Sequence, residues 1–249
     1  MALIKSKQEI NLMKKSGRLA QKLLRELGEA VQPGATGKQL DEIAAKLLKS
    51  HAAKSPFLGH HGYPSHITIS VNDVVVHGIP TDKPFETGDI VSVDVGTRLN
   101  GFIGDNAWTF PVGPIPDNAQ KLLEVTEESL WRGIAQAKAG NKVGDISHAV
   151  QSFCEGKGYG VVRDLCGHGV GREMWEEPSV PNFGPAGKGP VLRAGMAIAI
   201  EPMINEGTGD VKHLADKWTV VTADGKLSAH FEHSIVITSD GPEILTSLD

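Results

Sequence analysis

The stretch that decides the fold is "DIVSVDVGTRLNGFIGDNAWTF", residues 89–110. It holds Asn100-Gly101, the strongest short signal for a two-residue hairpin turn. The runs on either side are rich in β-branched and aromatic residues, which favour strands. With Asn100-Gly101 as the turn, Leu99 faces Phe102 and every other pair is fixed. The sequence therefore predicts a long antiparallel hairpin with a defined register.

Two carboxylates lie on one face of this predicted hairpin. Side chains alternate along a strand, so Asp94 and Asp105 point the same way and are diagonal neighbours. Gly96 faces Asp105 and is expected to leave space beside it. The other face carries apolar side chains that suit a core: Val91, Val93 and Val95. Two carboxylates this close repel unless a cation lies between them. The alternative left open is that both are exposed, or that one caps a turn.

Three more candidate ligands follow in the second half. His168 lies in "GHGVG", where glycines allow close approach to the backbone. Glu201 ends the apolar run "AIAIE", and Glu232 lies in "HFEHSIVIT" with Ser234 and Val236 on its face. A charge at the end of an apolar strand needs a partner. Each glutamate alone could be a paired surface residue, so the interpretation depends on the whole set.

The five side chains amount to four carboxylates and one imidazole. Their formal charge of about −4 balances two divalent cations. Oxygen-rich sets without thiolates disfavour a structural zinc site of the cysteine type. A pair of metal ions suits hydrolysis, since it acidifies water and clamps the transition state. Cobalt, manganese, iron and zinc all accept such ligands, so the sequence does not choose between them.

The chain also shows signs of an internal duplication. One set of positions recurs at a constant spacing of 106 residues: Gly34, Leu40, Ile43, Ala44 and Leu47 match Gly140, Ile146, Ala149, Val150 and Phe153. Asp94 and Glu201 each follow a glycine by six residues. We therefore expect a single α+β domain over residues 1–249, with similar halves of roughly 1–112 and 113–249. Chance similarity between common α+β patterns is the alternative.

Four helices and several later strands complete the prediction. Capping-box spacing starts the first two helices at Ser6 and Thr36. Two more helices are expected at 117–138 and 145–156. The later strands are expected in three segments: "MAIAIEPMI" (196–204), "WTVVT" (218–222) and "HFEHSIVIT" (230–238). The lysines around the first helix are interpreted as a solvated face: Lys5, Lys7, Lys14 and Lys15.

The composition narrows the classes of partner and compartment. The net charge is −5 and no block of Lys or Arg stands out, which argues against nucleic acid as a partner. No apolar run approaches the roughly 20 residues that span a bilayer. Two cysteines in 249 residues do not make a disulfide scaffold, so a reducing cytoplasm is expected.

Together, four motifs resemble the methionine aminopeptidases of the pita-bread superfamily: "VDVG…NGFIGD", "GHGVG", "AIEPM" and "FEHSIVIT". The segment "HHGYPSHITISVNDVVVHGIP" resembles the signature of the methionine enzymes. Glu201 and Glu232 are separated by only about thirty residues, which leaves no room for the helical insert of type II enzymes. No additional N-terminal domain of the prolidase kind is visible. Both points indicate type I.

The resemblance implies a fold and an activity. The fold would be a curved central antiparallel sheet covered by helices, with two pseudo-symmetric halves and a dinuclear metal site at the centre. The activity would be removal of the initiator methionine from peptides and nascent chains. The protein is expected to act as a monomer, and docking to the ribosome is left open.

The resemblance also implies roles for single residues. Asp94, Asp105, His168, Glu201 and Glu232 would hold two divalent ions, with Asp105 and Glu232 bridging both. Glu201 would also act as general base, and His77 would contact the substrate and steady the tetrahedral intermediate. The methionine pocket would be lined by Tyr63, Met203 and Trp218. Thr68 and His60 stand where some type I enzymes have cysteine and tyrosine.

One position departs from the family pattern. Seven residues after the ligand histidine the family has a second histidine that contacts the substrate, and this chain has Trp175. An indole can donate one hydrogen bond but cannot accept one or change its protonation state. Three alternatives to an ordinary enzyme follow: slow cleavage, a shifted substrate preference, or a paralogue that binds without cleaving. A proline-type aminopeptidase is a further alternative, disfavoured by the "HHGYP" segment.

Overall fold

Residues 4–248 are described by a computed structural model of the chain. Within them lie four α-helices, of which the first two open on capping boxes at Ser6 and Thr36 as expected. None of the described helices has the length and apolar character needed to cross a membrane. The helices are α1 Lys7–Ala30, α2 Gly37–Ser50, α3 Asp117–Gln136 and α4 Val143–Gly156.

The strands form one large sheet and two small ones. The strands of the first half are β1 Ile67–Val71, β2 Val74–Val76, β3 Ile90–Leu99 and β4 Phe102–Pro111. Those of the second half are β5 Gly160–Val161, β6 Cys166–Gly169, β7 Glu176–Pro181, β8 Ala197–Ile200, β9 Met203–Asn205, β10 Val211–His213, β11 Val220–Thr222, β12 Ser228–His230, β13 Glu232–Ile237 and β14 Pro242–Ile244.

The large sheet runs in the order β1-β3-β4-β13-β8-β6-β7, with β14 beside β13. All of its pairings are antiparallel. The small sheets are β10-β11-β2 and β12-β9-β5. The central pair β4 and β13 joins one strand from each half of the chain, so the middle of the sheet is also the boundary between the halves.

The predicted hairpin register is confirmed along its whole length. Leu99 pairs with Phe102, and Asp94 pairs with Ala107. Asn100 and Gly101 both have positive φ, 53° and 79°, as a two-residue turn of type I′ requires. The valines of β3 pack with leucines of α1 and α2. The opposite face of β3 and β4 is therefore free to present its carboxylates.

Two predicted continuous strands are interrupted in the structure. The segment 196–204 is split into β8 and β9 at Glu201-Pro202, and 230–238 is split into β12 and β13 at Phe231. At each break the chain leaves one sheet and joins another. Pro202 has no N–H to give to a sheet, which is one physical reason for the first break. The expected single strands were wrong at these points.

The two halves repeat fine details of the backbone. Gly34 N–H donates to Phe85 O at 2.8 Å, and Gly140 N–H donates to Leu192 O at 2.9 Å. Isolated antiparallel bridges join Thr36 to Pro84 and, in the second half, Lys142 to Val191. These pairs agree with the spacing found in the sequence. The division into halves at about residue 112 stays a prediction.

Helices cover the large sheet in both halves. In the second half, α3 and α4 pack with Ile198 and Ile200 of β8 and with Ile235 of β13. One prediction about the surface was wrong. Lys5 precedes α1, is only 7% exposed, and forms an ion pair with Glu176. Its neighbours along α1 include Lys14, which pairs with Glu243 at 2.6 Å.

Candidate metal centre

The five predicted metal ligands line one cavity of about 130 Å³: Asp94, Asp105, His168, Glu201 and Glu232. Each comes from a different strand or strand end of the large sheet. The hairpin β3-β4 supplies the two aspartates, as the register predicted. Glu232 is the first residue of β13 and pairs with Ala107 of β4, which places it beside the hairpin. The long-range arrangement therefore follows from the sheet order.

His168 is turned so that one ring nitrogen faces the carboxylates. Its register in β6 is irregular between Gly167 and Gly169, and such bulges re-aim a side chain. Nδ1 lies 2.9 Å from Gly169 O, which makes Nδ1 the donor. Nε2 then carries the lone pair, and it lies 3.5 Å from Asp105 Oδ2 and 3.5 Å from Glu201 Oε1. This is the orientation of a metal-binding imidazole.

Three of the five offer ligand atoms that all lie within 4.8 Å of one another: Asp105, His168 and Glu232. The two carboxyl groups of Asp105 and Glu232 are close enough to perturb each other's pKa. Asp94 and Glu201 lie around this group on the wall of the same cavity. The structure therefore brings the predicted set together, with Asp105 and Glu232 at its middle.

Burial makes this group of acids costly. Burial raises the pKa of Asp105, Glu201 and Glu232 well above the usual range, and neighbouring carboxylates raise it further. Burial also raises the pKa of Asp94 to about 7, against a hydrogen bond from the Thr68 side chain that lowers it. Four acids in one dry cavity resist ionisation together unless positive charge compensates them.

The residues fit divalent cations. Three buried carboxylate oxygens have no hydrogen-bond partner within the described chain: Asp94 Oδ1, Asp105 Oδ1 and Glu232 Oε1. An unpartnered buried oxygen of an acid is expensive, and a cation is the partner that would satisfy several at once. Hard oxygen donors with one imidazole suit first-row divalent metals. The donor set therefore supports a metal centre at this cavity.

Close packing requires glycine at two positions beside the site. A Cβ on Gly96 would lie 2.5 Å from Pro56 Cγ, so the Pro56-Phe57 loop packs into the space that Gly96 leaves. A Cβ on Gly167 would lie 2.4 Å from Ala199 O of the neighbouring strand. Close strand packing therefore requires glycine before His168. Approach of a ligand to the backbone at these glycines stays a prediction.

A second, apolar cavity of about 230 Å³ adjoins the metal centre. Phe57, His77 and Trp175 line both cavities. Of the predicted pocket residues, Tyr63 and Trp218 line the apolar cavity with their rings in edge contact, 5.1 Å between centroids. Met203 lines the metal cavity instead. The arrangement offers an apolar site directly beside a charged one.

His77 is held in an unusual backbone conformation. It has a φ of 58°, in the left-handed region, just after β2. The Tyr63 hydroxyl donates to the carbonyl oxygen of the next residue, Gly78, at 2.9 Å. Burial and the nearby His213 lower the pKa of His77. Strain of this kind is common at functional sites, because surrounding contacts hold a side chain where the reaction needs it.

Trp175 lies across the junction of the two cavities. Its ring centroid is 4.3 Å from that of His60 and 6.2 Å from that of His168. The indole remains 47% exposed, so it forms part of the entrance. The next residue, Glu176, pairs with the buried Lys5 and accepts a hydrogen bond from Arg172 N–H at 2.9 Å. The loop that carries Trp175 is therefore fastened to the segment before α1.

Two residues of this site, His230 and Phe57, were not predicted from the sequence. His230 is 2% exposed, and its Nε2 lies 3.7 Å from Glu201 Oε2. Burial and the nearby His77 lower its pKa to about 3, so the ring is neutral. The alternation of side chains along a strand could have predicted this contact, because His230 precedes Glu232 by two residues and is expected on the same face. Phe57 had no such signal, because it reaches both cavities from an irregular loop.

Comparison with known proteins agrees with this geometry. Residues 11–239 match metallopeptidase family M24. Methionine aminopeptidase 1 of Bacillus subtilis is 48% identical over 99% of both chains, and the methionine aminopeptidase of Clostridium perfringens is 50% identical over the same share. The crystal structure of the Rickettsia prowazekii methionine aminopeptidase superposes with a TM-score of 0.98 at 40% identity, covering 99% of this chain and 100% of that one.

The chain belongs to metallopeptidase family M24 and, within it, groups with the methionine aminopeptidases. Its α+β architecture is the pita-bread fold that the sequence motifs implied. The family and fold predictions are thus confirmed. Identity of nearly half across the full chain does not favour the proline-type alternative.

Proposed function

We propose that this protein is a type I methionyl aminopeptidase, a hydrolase that removes the N-terminal methionine of peptides and nascent proteins. The observation that carries the proposal is the junction of an acidic cavity with an apolar one through Phe57, His77 and Trp175. A methionine side chain needs an apolar site, and its peptide bond must then lie at the metal centre. The junction satisfies both needs.

The metal centre would hold two divalent ions. Four carboxylates and one neutral imidazole balance two such charges, which supports the count. Asp94, Asp105, His168, Glu201 and Glu232 would hold these ions, with Asp105 and Glu232 at the middle of the set. Lewis-acid polarisation of the scissile carbonyl and acidification of water are the chemistry that such ions supply. Cobalt, manganese, iron and zinc all suit the donors.

Side chains of the protein would bind the substrate and transfer the proton. Glu201 would accept a proton from water at a carboxylate oxygen and deliver it to the leaving amine. His77 would donate a hydrogen bond toward the tetrahedral intermediate from the edge shared by the two cavities. Tyr63 and Trp218 would enclose the methionine side chain, with Met203 beside it.

Trp175 would make this enzyme slow toward ordinary substrates or shift its preference. Its indole occupies the entrance where the peptide leaves the site. It cannot exchange a proton, and its width narrows the room for the residue that follows methionine. Losing one transition-state contact typically costs ~10²–10³ in rate.

Peptides and nascent chains are the proposed partners, and the cytoplasm is the proposed compartment. Two free thiols, Cys154 and Cys166, agree with a reducing environment. Action as a monomer is part of the proposal, and so is the possibility of work at the ribosome, where new amino termini emerge.

A peptide assay with defined metals tests the proposal. Protein freed of metal and then loaded with Mn²⁺, Co²⁺, Fe²⁺ or Zn²⁺ is incubated with Met-Ala-Ser and with a proline-type peptide. We expect free methionine from Met-Ala-Ser alone. Asp94→Asn should abolish release, whereas Asp240→Asn, at an exposed aspartate, should not change it. Tight metal binding without release from any peptide would favour a binding protein instead.

A further inference from the structure

His230 lies where two strands change sheets. β8 ends at Ile200 and β9 begins at Met203, while β12 ends at His230 and β13 begins at Glu232. His230 pairs with Met203 in one sheet, and His233 pairs with Ile200 in the other. The two crossing points therefore face each other. As a result, His230 is brought against Glu201, one of the five candidate ligands.

Among the described residues, the Nε2 atom of His230 has no hydrogen-bond partner that explains its burial. Its main chain is satisfied by Thr109, whose Oγ1 accepts from His230 N–H at 3.0 Å and donates to His230 O at 2.8 Å. The side-chain Nε2 is buried and makes no hydrogen bond within the described chain. A buried ring nitrogen without a hydrogen-bond partner destabilises the folded protein. Such a group is retained at a cost to stability, so another role is expected.

Glu201 lies between two imidazoles. Its Oε1 is 3.5 Å from His168 Nε2, and its Oε2 is 3.7 Å from His230 Nε2. His168 uses its Nδ1 hydrogen on Gly169 O, so the nitrogen that it turns to Glu201 has no hydrogen to give. His230 is the imidazole on the other side, and it can give one. The two carboxylate oxygens of Glu201 therefore have different neighbours, and only Oε2 faces an imidazole that can donate a hydrogen bond to it.

We propose that His230 is a positioning residue that donates its Nε2 hydrogen to Glu201 Oε2 and so fixes Oε1 toward the metal ions. The present separation exceeds a hydrogen bond by about half an ångström, which a small rotation of the Glu201 side chain closes. Partners of this kind set the orientation of a ligating carboxylate. The inference rests on the proposed function, in which Glu201 is both a ligand and the general base.

Two substitutions separate the hydrogen bond from the packing. His230→Phe keeps a ring of similar size and removes the N–H, whereas His230→Gln places an amide N–H at about the position of Nε2. The readouts are the dissociation constant for Mn²⁺, from calorimetry on metal-free protein, and kcat and KM for Met-Ala-Ser. Thermal unfolding checks that each variant is folded.

We expect His230→Phe to weaken Mn²⁺ binding by about 10–100-fold and to lower kcat while KM changes less than about twofold. His230→Gln should stay within about threefold of the unsubstituted protein in both readouts. Wild-type Mn²⁺ affinity in His230→Phe, or an equal loss in His230→Gln, would overturn the inference. Should His230→Phe not fold, His230→Asn replaces it, since its shorter amide does not reach Glu201, and the same outcomes apply.

The calorimetry keeps this inference separate from the proposed function. If the unsubstituted protein cleaves no peptide, the proposed function fails, while Mn²⁺ affinities of the variants still decide the role of His230. If it cleaves Met-Ala-Ser and His230→Phe behaves as the unsubstituted protein does, only the positioning role fails.

Discussion

Trp175 and His60 are in ring contact, with their centroids 4.3 Å apart and their planes inclined by 36°. They are 115 positions apart in the chain and meet at the entrance shared by the acidic and the apolar cavity. Together they narrow the path by which a peptide would leave the metal centre. Their contact is therefore the first place to test the role proposed for Trp175.

Replacing the indole by an imidazole should accelerate the proposed reaction. Trp175→His restores a group that donates and accepts protons beside the scissile bond, and we expect kcat for Met-Ala-Ser to rise by ~10²-fold. Trp131→His provides the control, because Trp131 is also exposed but lies on α3. An unchanged rate in Trp175→His would contradict the role given to Trp175.

Removing one central carboxylate should stabilise the metal-free protein, although it removes a candidate metal ligand. Asp105→Asn relieves repulsion among buried acids, so the metal-free variant should gain about 1 kcal/mol, or roughly 2–4 °C in melting temperature. The same variant should lose its response to Mn²⁺. Melting curves with and without Mn²⁺ measure both effects. A variant less stable than the metal-free parent would show that repulsion among these acids is not what limits stability.

Metal removal should destabilise the folded protein. An ion that binds only the folded state at 100 times its dissociation constant adds about 2.7 kcal/mol. After chelation and dialysis, we expect a fall in melting temperature of roughly 5–10 °C, with recovery when Mn²⁺ is added. Asp240→Asn should recover in the same way as the parent. Identical melting curves before and after chelation would mean that the carboxylates do not bind the ion.

Close strand packing beside His168 should make one glycine irreplaceable. A Cβ at position 167 would lie 2.4 Å from Ala199 O, so Gly167→Ala must push β6 away from β8. We expect a loss of about 1–3 kcal/mol, as for other overpacked sites, with weaker Mn²⁺ binding because His168 moves.

Gly156→Ala is the matched control, because Gly156 ends α4 and a Cβ there meets nothing within 4 Å. Alanine at that site should raise the free energy of unfolding by about 0.4–1 kcal/mol, because it reduces the conformational entropy of the unfolded chain. Urea unfolding of both variants gives the comparison. Equal stabilities for the two would remove the packing explanation for Gly167.

The hairpin could be predicted from sequence because its information is local. Asn100-Gly101 sets the turn, and alternation then sets the face on which Asp94 and Asp105 lie. The starts of the first two helices were predictable for the same reason, because Ser6 and Thr36 each form a capping box with the residue three positions later. His168, Glu201 and Glu232 were candidates from their local sequence, because glycines flank the histidine and each glutamate lies in an apolar run. Their convergence with the aspartates depended on the set as a whole and was supported by the resemblance of their motifs to a known family.

Other features depend on distant parts of the chain, and among them only Pro202 gave a local signal. The breaks at Glu201-Pro202 and at Phe231 arise because each strand is shared between two sheets. Gly96 was expected to leave space beside Asp105, and the residue that packs into that space, Pro56, lies forty positions away in the sequence. Lys5 belongs to a run of charged residues that is typical of a solvent-exposed surface. In the folded protein it is buried because it forms an ion pair with Glu176.

The buried pairing of Lys5 with Glu176 makes the leading segment a tether for the entrance to the site. Lys5 N–H also donates to Gly195 O at 2.7 Å, so this tether is anchored at both backbone and side chain. Shortening the chain past Lys5 would leave a buried acid without its cation next to Trp175. Trimming that end of the chain past Lys5 would thus alter the entrance of the proposed enzyme while its metal ligands stayed intact.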